Sequence, residues 1–175
     1  DLMVFWARAL HGALGCVFAE NHVTKLRTQA VKRMGIQLAG SNPLLRLSLA
    51  SPTTADPGFY QLRSAIFDIR RLCRKSPDLL QYWQFFMKRF EGVLHDGPFS
   101  KLISLLNSIG WQILIPPCFR DHDGFIHDLF EISHGTLDRL LTDAWFQHVA
   151  TRVHHKTMAG LEGLDVELTK LDHDK

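Results

Sequence analysis

Four times a capping side chain stands just ahead of a proline: Asn42-Pro43, Asp56-Pro57, Ser76-Pro77 and, with one residue between, Asp96-Gly97-Pro98. Proline suits the first position of a helix, because the N–H it lacks would have no intrahelical partner there. Asn, Asp and Ser suit the position before it, because their side-chain oxygens accept from the free N–H groups of the first turn. A chain that opens helices at 43, 57, 77 and 98 leaves little room for strands between them. The predicted fold class is mainly α: a multi-helix bundle with one small β-hairpin near residues 111–130.

The segments behind these starts carry apolar residues at helical spacing. From Pro57 to about Lys75, Phe59, Leu62, Ile66, Ile69 and Cys73 form the predicted buried face. Arg63, Arg70, Arg71, Arg74 and Lys75 form the predicted exposed one. The segment from Pro77 to about Leu94 is heavy with Leu80, Trp83, Phe86, Met87 and Phe90, and core packing is their expected use. That from Pro98 to about Ile109 buries Phe99, Leu102, Leu105, Leu106 and Ile109, and Gly110 ends it. Earlier in the chain, residues 2–18 place Phe5, Trp6, Leu10, Leu14 and Val17 at roughly helical spacing. Asn21 is the expected cap of a helix with Val23, Leu26, Ala30, Val31 and Met34 on one face, Lys25, Arg27, Lys32 and Arg33 off it, and Gly35 as its stop. A last helix is expected from near Thr136 to about Met158.

Between residues 111 and 130 the period changes. Trp111–Ile115 is aromatic and β-branched, and Pro116-Pro117 stops it. Asp123-Gly124 is a favoured pair for a two-residue hairpin turn. Two antiparallel strands are expected. The same stretch holds Asp121, His122, Asp123, His127 and Asp128. Imidazole and carboxylate are metal ligands, so His122, Asp123 and His127, with His134, form a candidate shell for a metal-dependent hydrolase. The structural use is the commoner one: Asp in turns bonds to its own backbone, and strand alternation sends His127 and Asp128 to opposite faces. No metal or other cofactor is therefore assigned.

At 175 residues the chain suits a single domain, here residues 1–165 with a polar tail at 166–175. No stretch has the ~18 uninterrupted apolar residues of a membrane span. Cys16, Cys73 and Cys118 are odd in number and far apart, which suits a reducing, intracellular compartment (nuclear or cytoplasmic). A start at Asp1, with no leader-like run, is expected of a segment from a longer parent polyprotein. The net charge of +2 conceals an asymmetry. Residues 1–110 carry 14 Lys/Arg against 7 Asp/Glu, and residues 111–175 carry 6 against 11. Arg63, Arg70 and Arg74 lie at i, i+7 and i+11, one helical face, with Arg71 and Lys75 beside them. Such a stripe can follow a phosphate backbone, and Lys32 and Arg33 could extend it. A solvated helix face gives the same pattern. His148, Arg152 and His155 share another helical face, for which a wet surface is the expected use.

Several short runs carry a family likeness. They are Ala-Leu-His-Gly-Ala-Leu-Gly-Cys (9–16), Leu-Arg-Thr-Gln-Ala-Val-Lys (26–32), Ala-Gly-Ser-Asn-Pro-Leu-Leu-Arg-Leu-Ser-Leu (39–49), Asp-Pro-Gly-Phe-Tyr (56–60), Ala-Trp-Phe-Gln (144–147) and His-Lys-Thr-Met (155–158). Together they resemble the region downstream of the polymerase palm, the thumb and connector, in reverse-transcriptase-like proteins of non-long-terminal-repeat retroelements. Polymerases of this kind hold two metal ions with a paired-aspartate motif. No Asp-Asp pair occurs in this chain, so no catalytic residue carries over. The resemblance implies a non-catalytic accessory part that grips template–primer duplex. The competing expectation is a helical scaffold domain that docks proteins and binds no nucleic acid.

Overall fold

The computed structural model describes residues 18–35, 42–50, 55–89 and 97–173, with side chains of the last helix described to His154. Among them the order is α1 (Glu20–Arg33), α2 (Pro43–Ala50), α3 (Pro57–Lys75), α4 (Pro77–Arg89), α5 (Pro98–Ser108), β1 (Gln112–Ile113), β2 (Cys118–Arg120), β3 (Ile126–Asp128) and α6 (His134–His173). The fold is mainly helical with one small antiparallel sheet.

Each of the four prolines opens a helix. The Asn42 side chain accepts from Leu44 N at 3.0 Å. The Asp56 carboxylate accepts from Gly58 N at 2.7 Å and Phe59 N at 3.3 Å. Asn21 is not a cap. Helix α1 begins two residues earlier than that cap implies, after Ala19, whose carbonyl accepts from His22 and Val23. The helix then places Glu20 seven residues before Arg27, two turns away on one face, where the two side chains pair. The expected helix at residues 2–18, Asp96 and Phe90 lie outside the described residues.

Helix α3 is the central element and packs against α1, α4, α5 and α6. Phe59, Leu62, Ile66, Ile69 and Cys73 are all buried, as their spacing predicts. Trp83 of α4 is fully buried and stacks on Phe99 of α5, ring centroids 5.0 Å apart. Helix α6 closes the core with Leu137, Leu141, Ala144, Trp145 and Val149. A smaller core of Ala30, Val31 and Leu47 joins α1 to α2.

Arg27 departs from its expected place on the outer face of α1. It is 2% exposed. Its Nε and Nη2 donate to the Asp56 carboxylate at 2.7 and 3.1 Å, and its Nη1 donates to Glu20 at 2.9 Å. Burial pulls the Arg27 pKa down, but the bonds and charges of Asp56 and Glu20 outweigh it and leave the value raised. Gly58 makes room for the pair. A Cβ there would stand 2.8 Å from Trp145 Cη2 and 3.1 Å from Arg27 Nη2.

The β region has three strands, not two. Pro116 and Pro117, joined by a cis peptide bond, lie in the corner between β1 and β2. Gln112 then pairs with Arg120, and Ile113 with Phe119. Strand β2 is central, with Phe119 opposite His127 of β3. The connection from β2 to β3 is a five-residue loop, 121–125, rather than a two-residue turn. Within that loop only Gly124 has positive φ, at +91°. The Asp121 carboxylate draws the loop around itself, accepting from Asp123 N at 3.0 Å and Phe125 N at 2.9 Å. The final helix starts two residues before its expected position, because Ser133 caps it: Ser133 Oγ accepts from Thr136 N at 3.0 Å. Its helical backbone continues past Met158 to His173.

Two substitutions test the buried node. Asp56→Ala leaves Arg27 charged without its main partner and is expected to cost about 3–5 kcal/mol of unfolding free energy. Gly58→Ala is expected to cost about 1–3 kcal/mol through crowding against Trp145. Urea titration followed by tryptophan fluorescence measures both, and a Gly58→Ala protein as stable as wild type would contradict the close approach.

Candidate functional site

The predicted arginine stripe divides into two groups with different work. Arg63 faces α6, where its Nε donates to Asp138 Oδ1 at 2.5 Å and its guanidinium lies 5.1 Å from the Phe67 ring centroid. Arg70 is 7% exposed, not solvated as its position suggests. Its Nη2 donates to Ile132 O at 2.5 Å and reaches Phe130 O at 3.5 Å. Arg74 also donates to Phe130 O and covers the Phe130 ring. These three arginines fasten α3 to the connection after β3 and to α6. Loop carbonyls there have no ladder partner, and buried carbonyls need a donor. An arginine supplies one from the end of a long stem.

Arg71 and Lys75 form the second group. Both are exposed, and Arg71 pairs with Asp68 one helical turn back at 2.7 Å, its side chain 64% exposed. Arg70, Arg71, Arg74 and Lys75 together line an open pocket of about 620 Å³, with Asp68 as its one carboxylate. Phe67 and His134 complete the lining. Their rings are stacked, centroids 4.2 Å apart and 26° from parallel. The cationic charge is poorly compensated. Burial, then the neighbouring charge of Arg74, lowers the Arg70 pKa, and Arg70 Nε is buried without a hydrogen-bond partner. Lys32 and Arg33 are exposed in the last turn of α1 and do not line this pocket. In sequence His134 stands out only as a spare metal ligand. The Ser133-x-x-Thr136 cap was the sequence signal that could have placed it at the head of α6.

The Asp/His cluster is organised differently from a metal shell. Asp121 is 4% exposed, and its Oδ2 meets His127 Nε2 at 2.7 Å. His122 Nδ1 instead accepts from Trp111 Nε1 at 3.3 Å, and its Nε2 lies 3.6 Å from Asp123. So His122, Asp123 and His127 are divided between two pairs. Among the described residues no group of three or more His, Cys, Asp or Glu side chains could hold a metal ion. On the buried face Trp111 stacks on Phe119 at 4.8 Å, with His127 beyond at 5.3 Å. This carboxylate–imidazole pair knits the loop to the sheet.

The His148–Arg152 face of α6 also turns inward. His148 and Arg152 line a second cavity of about 310 Å³, with Arg27, Glu20 and Trp145. Glu20 bridges Arg27 and Arg152 at 2.9 and 3.0 Å. Burial, then the Arg152 charge, holds the His148 pKa below its ordinary value. The His155 side chain lies outside the described residues.

No protein-family model, no curated protein and no solved structure matches this chain. Among the described residues, no helix is long and apolar enough to cross a membrane.

Burial raises the Asp121 pKa, but the His127 bond and charge and the Phe125 and Asp123 amides outweigh it, leaving it lowered. A carboxyl held below its unfolded value, about 3.9, adds stability that is complete above that value and lost as pH falls through the folded one. Acid titration of unfolding free energy should therefore show a loss below about pH 4. Asp121→Asn should remove that part of the profile, and an unchanged profile in this variant would count against the assignment.

Proposed function

We propose that this chain is a non-catalytic helical segment that binds nucleic acid through the basic pocket at the C-terminal half of α3. It would act as a thumb- or connector-like accessory part of a reverse-transcriptase-like protein. The observation that carries the binding reading is the pocket itself: four cationic side chains against one carboxylate in an open concavity of about 620 Å³. Phosphate is the ligand chemistry that such a lining suits, because guanidinium and ammonium donors neutralise its charge and displace its counterions. The polymerase assignment rests on the sequence resemblance alone. The lack of an Asp-Asp pair keeps catalysis out of the role.

Within the pocket the roles divide. Arg70 and Arg74 hold their own scaffold, and they bring a fixed positive field. Arg71 and Lys75 are the exposed contacts that reach a phosphate. This division decides which variants are informative. Arg71→Gln and Lys75→Gln should leave unfolding unchanged, within about 0.5 kcal/mol, as surface substitutions do. Each should lower the magnitude of the slope of log affinity against log salt by about 0.7–0.9, one phosphate contact apiece. Fluorescence anisotropy with a labelled oligonucleotide between 50 and 200 mM salt reads this out. An affinity independent of salt, or a slope unchanged in the double variant, would remove the proposal.

A protein-docking role has one specific observation in its favour. Phe125 and Ile126, neighbours where the loop meets β3, are 66% and 60% exposed. A docking role predicts that Phe125→Ser with Ile126→Thr abolishes association with a partner while leaving oligonucleotide binding at its wild-type level.

A further inference from the structure

We infer that the α3 pocket takes a single strand, with one base stacked on His134 while its phosphates meet Arg71 and Lys75. This inference rests on the phosphate-binding reading of the same pocket and narrows its ligand to a single strand, in place of the duplex that the family resemblance implies. Three observations lead to it. First, the cationic lining is joined by a ring, His134, in one concavity rather than on an open ridge. Second, one face of that ring already lies against Phe67, centroids 4.2 Å apart, yet the residue is exposed. His134 also lines the pocket, so the ring face that Phe67 does not cover is the one a planar group would meet. Third, the stack is tied to both helices: the Arg63 guanidinium lies 5.1 Å from the Phe67 ring centroid and is bonded to Asp138, one turn along α6 from His134. Ring, support and cations therefore belong to one rigid corner made by α3 and the first turn of α6.

A platform of this kind selects for strandedness. In a duplex the bases stack on one another and present only their edges, so a side-chain ring has no base face to cover except at an end. In a single strand every base has an exposed face, and an aromatic ring beside a cationic groove takes it with little regard to sequence. Phosphate contacts alone would favour the duplex, whose charge density is the higher.

The test uses the full 175-residue chain and fluorescence anisotropy with three probes of equal length: a single-stranded oligonucleotide, its blunt duplex, and an abasic strand that keeps the phosphates. The expected result is tightest binding to the single strand. His134→Ala should weaken that binding about tenfold and leave the duplex and abasic constants unchanged. His134→Tyr should restore it, which separates a stacking role from a fold defect; far-UV circular dichroism checks the fold of both variants. Equal affinity for duplex and single strand, or a His134→Ala loss shared by all three probes, would overturn the inference. So would displacement of the strand by a free nucleoside monophosphate at concentrations near the strand's own Kd, which would reassign the site to a free nucleotide. If His134→Ala changes nothing while Arg71→Gln and Lys75→Gln still reduce the salt slope, stacking fails and the phosphate reading stands. If no probe responds to salt, the phosphate reading fails as well.

Discussion

The Asp56 carboxylate does two jobs that physics makes hard to separate. It caps α3 by accepting from Gly58 and Phe59, and it neutralises an Arg27 that is almost wholly buried. An arginine buried to 2% exposure is tolerable only when its donors are matched, and here Asp56 and Glu20 match three of its nitrogens. Glu20 then passes the connection to Arg152 on α6. One polar chain thus ties α1, α3 and α6 together. Gly58 is part of the same arrangement, because any side chain there would enter the space that Trp145 and Arg27 occupy.

Helix α3 carries this node at one end and the basic pocket at the other. Its apolar face makes the core, so its outer residues are held at a fixed azimuth and height. The arginines use that rigidity in opposite ways. Arg70 and Arg74 turn in toward the carbonyls of Phe130 and Ile132, and Arg63 turns toward Asp138. Arg71 and Lys75 stay out. The proposed site is what is left over once the scaffold's own hydrogen-bond needs are met. Its charge is concentrated because Arg70 and Arg74 are paired with backbone carbonyls, which carry no formal charge to cancel theirs.

The small sheet shows the same economy of polar groups. Its loop looks in sequence like a cluster of reactive side chains. In the fold, each is used by a neighbour: Asp121 by two amides and His127, His122 by Trp111, Asp128 by the amides of Phe130 and Glu131. Imidazole and carboxylate suit a metal, but they suit each other and the backbone equally well. Distance decides between these uses, and spacing along the chain does not report it.

Much of the architecture was legible in the residues. The four proline starts, the apolar faces of α3 and α5, the stacked core around Trp83 and the change of period after Gly110 all follow from local preferences: cap chemistry, fixed φ and hydrophobic spacing act within a few residues and are written in order along the chain. The third strand was missed because two adjacent prolines look like a stop and here make a corner. Arg27, Arg70 and His148 were misplaced because each has a polar head that looks like surface until a partner from elsewhere satisfies it. Asp56, Phe130, Ile132 and Ser108 lie 29 or more residues from the groups they serve. The sequence by itself determined where helices begin and which faces are apolar. Only the tertiary structure decided which charges are buried and which stay exposed, because that depends on donors and acceptors brought together across the fold.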